Sequence, residues 1–291
     1  RIVVHPANPS LVLAGATKNN SGVYRSEDGG STWTRTFTDG VSDVTVNPTN
    51  ANEVWIGTMT KGVYRSTDGG VTFVAANNGL GVSNLGRTSV QIAASNPSIL
   101  YAQVDESLGS GTSVSHYSRV YKTTNKGASW NLVLDNSPNF LNLGNAQGWY
   151  NNAIGVDPTN PDIVLGLGIS MVRSGNGGSS WSHQNGNIHP DNHCIAFDPT
   201  TPGVVYVGND GGVYRSVDGG LSWNEKSTGL AVTQFYDFAI DQRSATTSMG
   251  GSQDNGTMTT AGSFVSGGDG GYCFYDPNNS GTLYASSQNA A

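Results

Sequence analysis

Charged side chains are scarce in this sequence, at 12% of 291 residues, about half the share of an ordinary soluble domain. Fourteen residues are basic and 21 acidic, the net charge is −7, and no basic tract runs beyond two residues. Gripping nucleic-acid phosphates takes clustered Lys and Arg, so a nucleic-acid partner is excluded from the reading. Apolar runs are short as well, and none approaches the roughly 18 residues of a membrane span. Cysteine is nearly absent. Cys194 and Cys273 sit in the strand-like runs HCIAF and YCFY and are expected as two buried free thiols, which leaves the redox compartment open. No cofactor is expected. The chain begins at Arg1 and shows no leader segment, so a leader has been removed or the sequence is a piece of a longer protein.

Forty glycines, with abundant Ser, Thr and Asn, stand where the charges are missing. A surface hydrated by hydroxyls and amides suits a secreted or extracellular protein that handles carbohydrate. More decisive is an internal repeat. SEDGGSTW at 26–33 returns as STDGGVTF at 66–73, TTNKGASW at 123–130, SGNGGSSW at 174–181 and SVDGGLSW at 216–223. The aromatic that closes each copy falls at 33, 73, 130, 181 and 223, in steps of 40, 57, 51 and 42 residues. Those steps fit one four-stranded antiparallel sheet each. Physically the repeat reads as a tight hairpin turn: glycine supplies positive φ, the Asp or Asn side chain caps backbone N–H groups, and the aromatic packs between sheets. Its aspartates are therefore structural.

Around each turn the pattern is constant. A strand such as GVYRS or RVYKT precedes it, and before that come an inner strand, a Pro/Asn turn and a second strand. The fold class read from this is all-β: a single β-propeller domain with blades near 1–40, 41–80, 88–135, 152–185, 193–228 and 235–266. The sixth has lost its repeated turn. A further two strands at 271–291 are either a partial seventh blade, open to another segment or chain, or an extra hairpin on a six-bladed ring.

Strand alternation places the repeated turns on one face and the irregular connections on the other. Two long loops are expected there, Gln103–Tyr117 with Asp105, Glu106 and His116, and Asp135–Asn152 with the run GWYNN. The same face should carry His189, Asp191, His193, Asp210, Gln253, Asp254, Asn255 and Asp269, with the aromatics Trp149, Tyr150, Phe235 and Tyr236 nearby. The alternation His189-x-Asp191-x-His193 suits side chains pointing one way, and hydrogen-bonded histidines are preferred to a metal site. Asp210, Asp254 and Asp269 are the candidate catalytic carboxylates. The other residues are candidate ligand contacts.

The repeated turns resemble the Asp boxes of BNR-repeat propellers: sialidases, sortilin-type receptors, xyloglucanases and reducing-end cellobiohydrolases. A sialidase is excluded, because most arginines (Arg25, Arg65, Arg173, Arg215) belong to the strands before the boxes. The segment Asn209-Asp210-Gly211-Gly212-Val213-Tyr214-Arg215 is similar to one that carries an acidic catalytic residue in xyloglucanases, and the resemblance implies that role for Asp210. It also implies a secreted propeller with a polysaccharide or glycan ligand. Carboxylates on adjacent blades could stand roughly 6.5–9.5 Å apart, the spacing of an inverting glycosidase. A non-catalytic interaction propeller of an extracellular assembly is the alternative.

Overall fold

The computed structural model describes residues 1–81, 84–110, 113–136, 143, 147–184, 187–244, 246–279 and 281–288. Every regular element among them is a strand. Six antiparallel sheets have four strands each, in chain order across the sheet. The first holds β1 (Ile2–His5), β2 (Asn8–Ala16), β3 (Gly22–Ser26) and β4 (Thr34–Phe37). The second holds β5 (Val41–Asn47), β6 (Asn50–Thr58), β7 (Val63–Ser66) and β8 (Val74–Ala75). The third is β9 (Leu85–Ile92), β10 (Leu100–Ser110), β11 (Ser113–Thr123) and β12 (Asn131–Leu134), and the fourth β13 (Ala153–Val156), β14 (Val164–Leu167), β15 (Met171–Ser174) and β16 (Ser182–His183). The fifth is β17 (Asn192–Phe197), β18 (Val205–Asn209), β19 (Gly212–Ser216) and β20 (Asn224–Glu225). The sixth is β21 (Phe235–Ile240), β22 (Ser248–Ser252), β23 (Gly256–Thr259) and β24 (Phe264–Ser266), and a two-stranded sheet of β25 (Gly270–Tyr275) and β26 (Leu283–Ser287) follows. These are the blades of an all-β propeller fold, six complete and one of two strands.

The chain divides into two compact units, one of Arg1–Asn209 with Tyr214–Asn224, the other of Asp210–Val213 with Glu225–Ala291. In the first, consecutive blades stack face to face. Leu13 and Val23 pack against Val41 and Val44, Trp55 against Val90 and Trp130, Tyr101 and Val120 against Ile154 and Val164, and Leu165 and Leu167 against Val207. In the second, Met249 of the sixth sheet packs against Cys273 and Tyr275 of the last. Burial of such faces is the main driving term for a sheet-only fold.

The repeated turn has the geometry its residue types dictate. In the second blade the Ser66 hydroxyl donates to Asp68 Oδ1 at 2.7 Å, the Gly70 amide donates to Ser66 Oγ at 2.8 Å, and Thr72 donates its amide and its hydroxyl to the two Asp68 oxygens at 2.9 and 2.5 Å. Where Asn replaces Asp, its amide donates instead: Asn125 Nδ2 to Ser129 Oγ at 2.9 Å and Asn176 Nδ2 to Ser180 Oγ at 2.8 Å. The Thr72 hydroxyl and amide bonds hold Asp68 down to about 2, and Thr32 does the same for Asp28. Asp218 also stands at about 2, its bonds from Ser222 and Ser216 overcoming partial burial. These carboxylates are fixed in the ionised form and spent on the turn.

The repeat also joins blade to blade. Arg25 Nε donates to the Gly69 carbonyl in the next box at 2.8 Å, Lys122 Nζ to Gly177 at 2.9 Å and Arg173 Nε to Gly219 at 2.7 Å. From the other side, Trp130 Nε1 reaches back to the Ala76 carbonyl at 2.7 Å and Trp181 Nε1 to Val133 at 2.9 Å.

Two expectations are corrected. Gln103–Tyr117 is not a loop. β10 and β11, 11 residues each, pair along their length in regular register, Asp105 opposite Ser118 and Ser107 opposite His116. Glu106 finds its partners within the sheet, accepting from Arg119 Nη1 at 2.7 Å and from the Tyr121 hydroxyl. Cys194 is exposed, whereas Cys273 is buried. The run around Cys194 is apolar throughout, but only Ile195 and Phe197 turn toward the cluster of Leu165 and Val207, leaving Cys194 and Ala196 on the other face.

Candidate ligand-binding site

In the first unit, the connection from β12 to β13 ends in a turn at 147–152, at the end of the sheets opposite the boxes. The amides of Tyr150 and Asn151 both donate to the Gln147 carbonyl at 2.8 Å. Gly148 lies on the side chain of Asp105, and a β-carbon there would come within 2.4 Å of Oδ1. Only glycine lets the turn close onto β10. From β9, Arg87 donates Nη1 to the carbonyls of Trp149 (3.4 Å) and Tyr150, while Asn152 Nδ2 returns a bond to the Arg87 carbonyl at 2.9 Å. Asn151 Nδ2 donates to Asp191 Oδ1.

The turn so braced displays two aromatic rings. Trp149 and Tyr150 are 59% and 46% exposed, with centroids 5.6 Å apart. Tyr150 meets the His193 ring edge-on at 4.8 Å. Rings that large are normally buried for their apolar area; here backbone bonds fix the pair in the open, with ring faces accessible.

Beside the rings the inner strands of four blades frame a polar depression of about 170 Å³. β5 supplies Asp43, β9 Arg87 and Ser89, β17 His193, and Asn152 stands just before β13. Asp43 is 7% exposed, and both its oxygens are engaged: Oδ2 accepts from Ser89 Oγ at 2.5 Å and the Val90 amide at 3.1 Å, Oδ1 from the Val44 amide at 2.9 Å, with Arg1 Nε 3.4 Å away. Burial pushes the Arg87 guanidinium below its ordinary range against the pull of Asp43, so this is a cation partly stripped of water.

Beneath Gly148, Asp105 is 2% exposed; Oδ2 lies 3.4 Å from His116 Nδ1, and among the described residues Oδ1 has no hydrogen-bond partner. Burial raises its pKa, outweighing the opposite effect of His116. The site therefore rests on a carboxyl inclined toward its neutral form.

The residues singled out in the sequence fall into two groups. In the first unit Trp149, Tyr150, Asp191 and His193 come together as described. His189 stands with them in chain order, its Nδ1 3.0 Å from the Pro190 carbonyl and its own carbonyl accepting from Asn209 Nδ2 at 2.8 Å. The expected alternation of His189, Asp191 and His193 does not form: Asp191 has φ 62° and the strand starts at Asn192. In the second unit the Asp254 amide donates to Asp269 Oδ1 at 2.8 Å, and Asn255 Nδ2 donates to the carbonyls of Asp210 (3.1 Å) and Gln253 (2.9 Å). Asp254 sits in a left-handed turn at φ 55°. Phe235 and Tyr236 are 58% and 51% exposed, and the Tyr236 hydroxyl is raised by loss of water and by the charges of Asp269 and Asp254. Among the described residues no group of three or more His, Cys, Asp or Glu is arranged to hold a metal ion.

Sequence reasoning missed Arg87, Asp43 and Ser89. One signal was present: Arg87, in GRTSV, lies outside the box-preceding strands that hold Arg25, Arg65, Arg173 and Arg215.

A family profile described as "Sortilin, neurotensin receptor 3" matches residues 21–150. No curated protein sequence matches the chain. Among solved structures, a GH74 enzyme from Niastella koreensis superposes with a TM-score of 0.67 at 21% identity, over 99% of this chain and 47% of that one. An ancestral GH74 enzyme gives 0.58 at 20% identity, over 99% and 38%. The chain is an Asp-box-like β-propeller. It resembles the GH74 and sortilin-type propellers in fold, and it spans less than half the length of the two GH74 chains. A structure of YCF48 bound to D1 peptide is similar at a TM-score of 0.48, 15% identity, over 89% of this chain and 80% of that one. No helix among the described residues is long and apolar enough to cross a membrane.

Proposed function

We propose that this protein is a secreted, carbohydrate-binding propeller whose first unit takes a glycan on Trp149 and Tyr150. The observation that carries the reading is the exposed ring pair, held by Arg87 and Asn152 and bordered by amide, carboxylate and imidazole groups. Sugars present one apolar face for stacking and a rim of hydroxyls, and this arrangement offers partners for both. The fold shared with the GH74 enzymes is compatible with that reading but does not carry it, since the same fold hosts unrelated functions.

A polysaccharide panel tests it by calorimetry. One glycan should bind, and Trp149→Ala should weaken it roughly three- to tenfold, the scale of a lost aromatic contact, with no loss of thermal stability. Absence of binding across the panel, or an unchanged affinity in the variant, overturns the reading.

Hydrolysis is a second reading, favoured by the bond from the Asp254 backbone amide to Asp269 Oδ1, which sets two acidic residues side by side in the second unit. A carboxyl near a second carboxylate can hold a proton for a leaving group. Release of reducing ends from the bound polysaccharide, abolished in Asp254→Asn with the fold intact, is the expected result; no release in the native protein rejects it.

A further inference from the structure

We infer that the depression beside Trp149 and Tyr150 receives a carboxylate, so that the glycan preferred is an acidic one bearing uronate residues. This rests on the carbohydrate reading above and adds the substrate class. Three observations lead to it.

Arg87 uses a single nitrogen, Nη1, for its two carbonyl partners. Among the described residues Nε and Nη2 have no hydrogen-bond acceptor, although Arg87 is half-buried and lines the hollow. A guanidinium is built to present paired N–H donors to a planar oxyanion, and here such donors remain beside a cavity.

The local charge balance is positive in a chain whose net charge is −7. Among the described residues Asp43 is the one carboxylate lining the hollow, against the guanidinium groups of Arg1 and Arg87. Its charge is offset by Arg1 Nε at 3.4 Å, which leaves the Arg87 guanidinium as the net charge beside the hollow.

The space fits. About 170 Å³ exceeds several times the roughly 30 Å³ share of one water, enough for a carboxylate and the ring atoms that bear it. The hollow adjoins His193, whose ring touches Tyr150, so a sugar stacked on the rings would bring a substituent to Arg87 without crossing open solvent.

The test compares tri-galacturonic acid with the same trisaccharide after carboxyl reduction, by calorimetry on the whole chain at low and high salt. The acid should bind at least about tenfold more tightly than the reduced sugar in low salt, the scale of one charge-assisted hydrogen bond, and the ratio should shrink in high salt. Arg87→Gln should erase the ratio, which is read from the two sugars' affinities for the same variant because Arg87 also braces the ring turn and its loss can lower both affinities together. Arg87→Lys, which keeps the charge and loses the fork, should retain part of it and guards against a variant whose turn has collapsed. Equal binding of both sugars to the native protein overturns this inference and leaves the carbohydrate reading standing. Binding of neither, nor of any glycan on the panel, overturns both. A preference for the acid that survives in Arg87→Gln also overturns it, because the charge would then lie elsewhere.

Discussion

Trp130 and Trp33 occupy the same position of the repeated turn, and the structure predicts very different costs for removing them. Trp130 is 3% exposed and packs with Trp55, Leu80, Val90, Leu100 and Tyr121 between the second and third blades. Its Nε1 also satisfies the Ala76 carbonyl of the neighbouring blade. Trp130→Ala thus removes a buried aromatic, worth about 3–5 kcal/mol, and orphans a carbonyl for about 1 kcal/mol more. For a unit of this size about 2–4 °C of melting temperature accompanies each kcal/mol, so the fall should be roughly 10–20 °C. Trp33 is 42% exposed, and its Nε1 donates to Gly30 within its own turn. Trp33→Ala should cost about 1 kcal/mol, or roughly 2–4 °C. Trp130→Phe, which keeps most of the packing and loses the N–H, should fall between. Urea unfolding followed by circular dichroism, beside thermal melts, gives both quantities. Equal destabilisation by the two alanine variants would refute the argument that blade-to-blade bonding is what the repeated aromatic supplies.

The remaining expectations concern the turns and the ring loop. Asp68, at about 2 in the folded protein against roughly 3.9 unfolded, contributes stability that is present above pH 4 and lost as the pH falls toward 2. Asp68→Asn should therefore flatten the melting temperature between pH 4 and 2, whereas Asp68→Ala should lower it at every pH by about 1 kcal/mol, as for a lost cap. Asp105 has the opposite sign. Its raised folded pKa favours the neutral form, so its contribution is fully present below the unfolded value and is lost as the pH rises through the folded one. Asp105→Asn should gain stability relative to the native chain as the pH is raised from about 4 to 7, and a relative loss would show that the His116 pair dominates. Gly148→Ala, which drives a methyl into Asp105 Oδ1, should abolish glycan binding by displacing Trp149 while the melting temperature changes little.

Much of this fold was legible because a repeat states itself several times. Five copies of one turn fixed the blade length, and the Asx residue that opens the turn between the first two strands recurs in the structure as the same bond: Thr49 to Asn47, Thr159 to Asp157, Thr200 to Asp198 and Asn278 to Asp276, at 2.8–3.0 Å. What the string could not show is partnership across blades. Arg25 and Gly69 are 44 residues apart, and nothing in GVYRS says that its arginine will serve the following box. The misreading of Gln103–Tyr117 has a related cause. Its Asp, Glu, Ser and His look like loop composition, yet on the facing strand Arg119 and Tyr121 donate to Glu106 and His116 lies against Asp105 within a sheet. Cys194 was misjudged because an apolar run does not reveal which of its two faces is covered.

The spacing of the repeat held one more signal, and it points to the candidate site. The box aspartates are held ionised near pKa 2 by their own turns, so chemistry has to come from residues the repeat does not supply. Two of the four steps between box aromatics, 57 and 51 residues, are longer than the others at 40 and 42. The step of 57 contains the lengthened hairpin of β10 and β11 with Asp105 and His116, and the step of 51 contains the turn with Trp149 and Tyr150. These two insertions lie in adjacent blades and meet, Gly148 of one resting on Asp105 of the other. Arg87 then ties the second to the inner strand of the first. Extra length in neighbouring repeats converges in space because equivalent connections of adjacent blades share an end of the stack. On that argument, a pair of consecutive long steps in any chain of such repeats marks where an irregular surface, unlike the regular box face, is built.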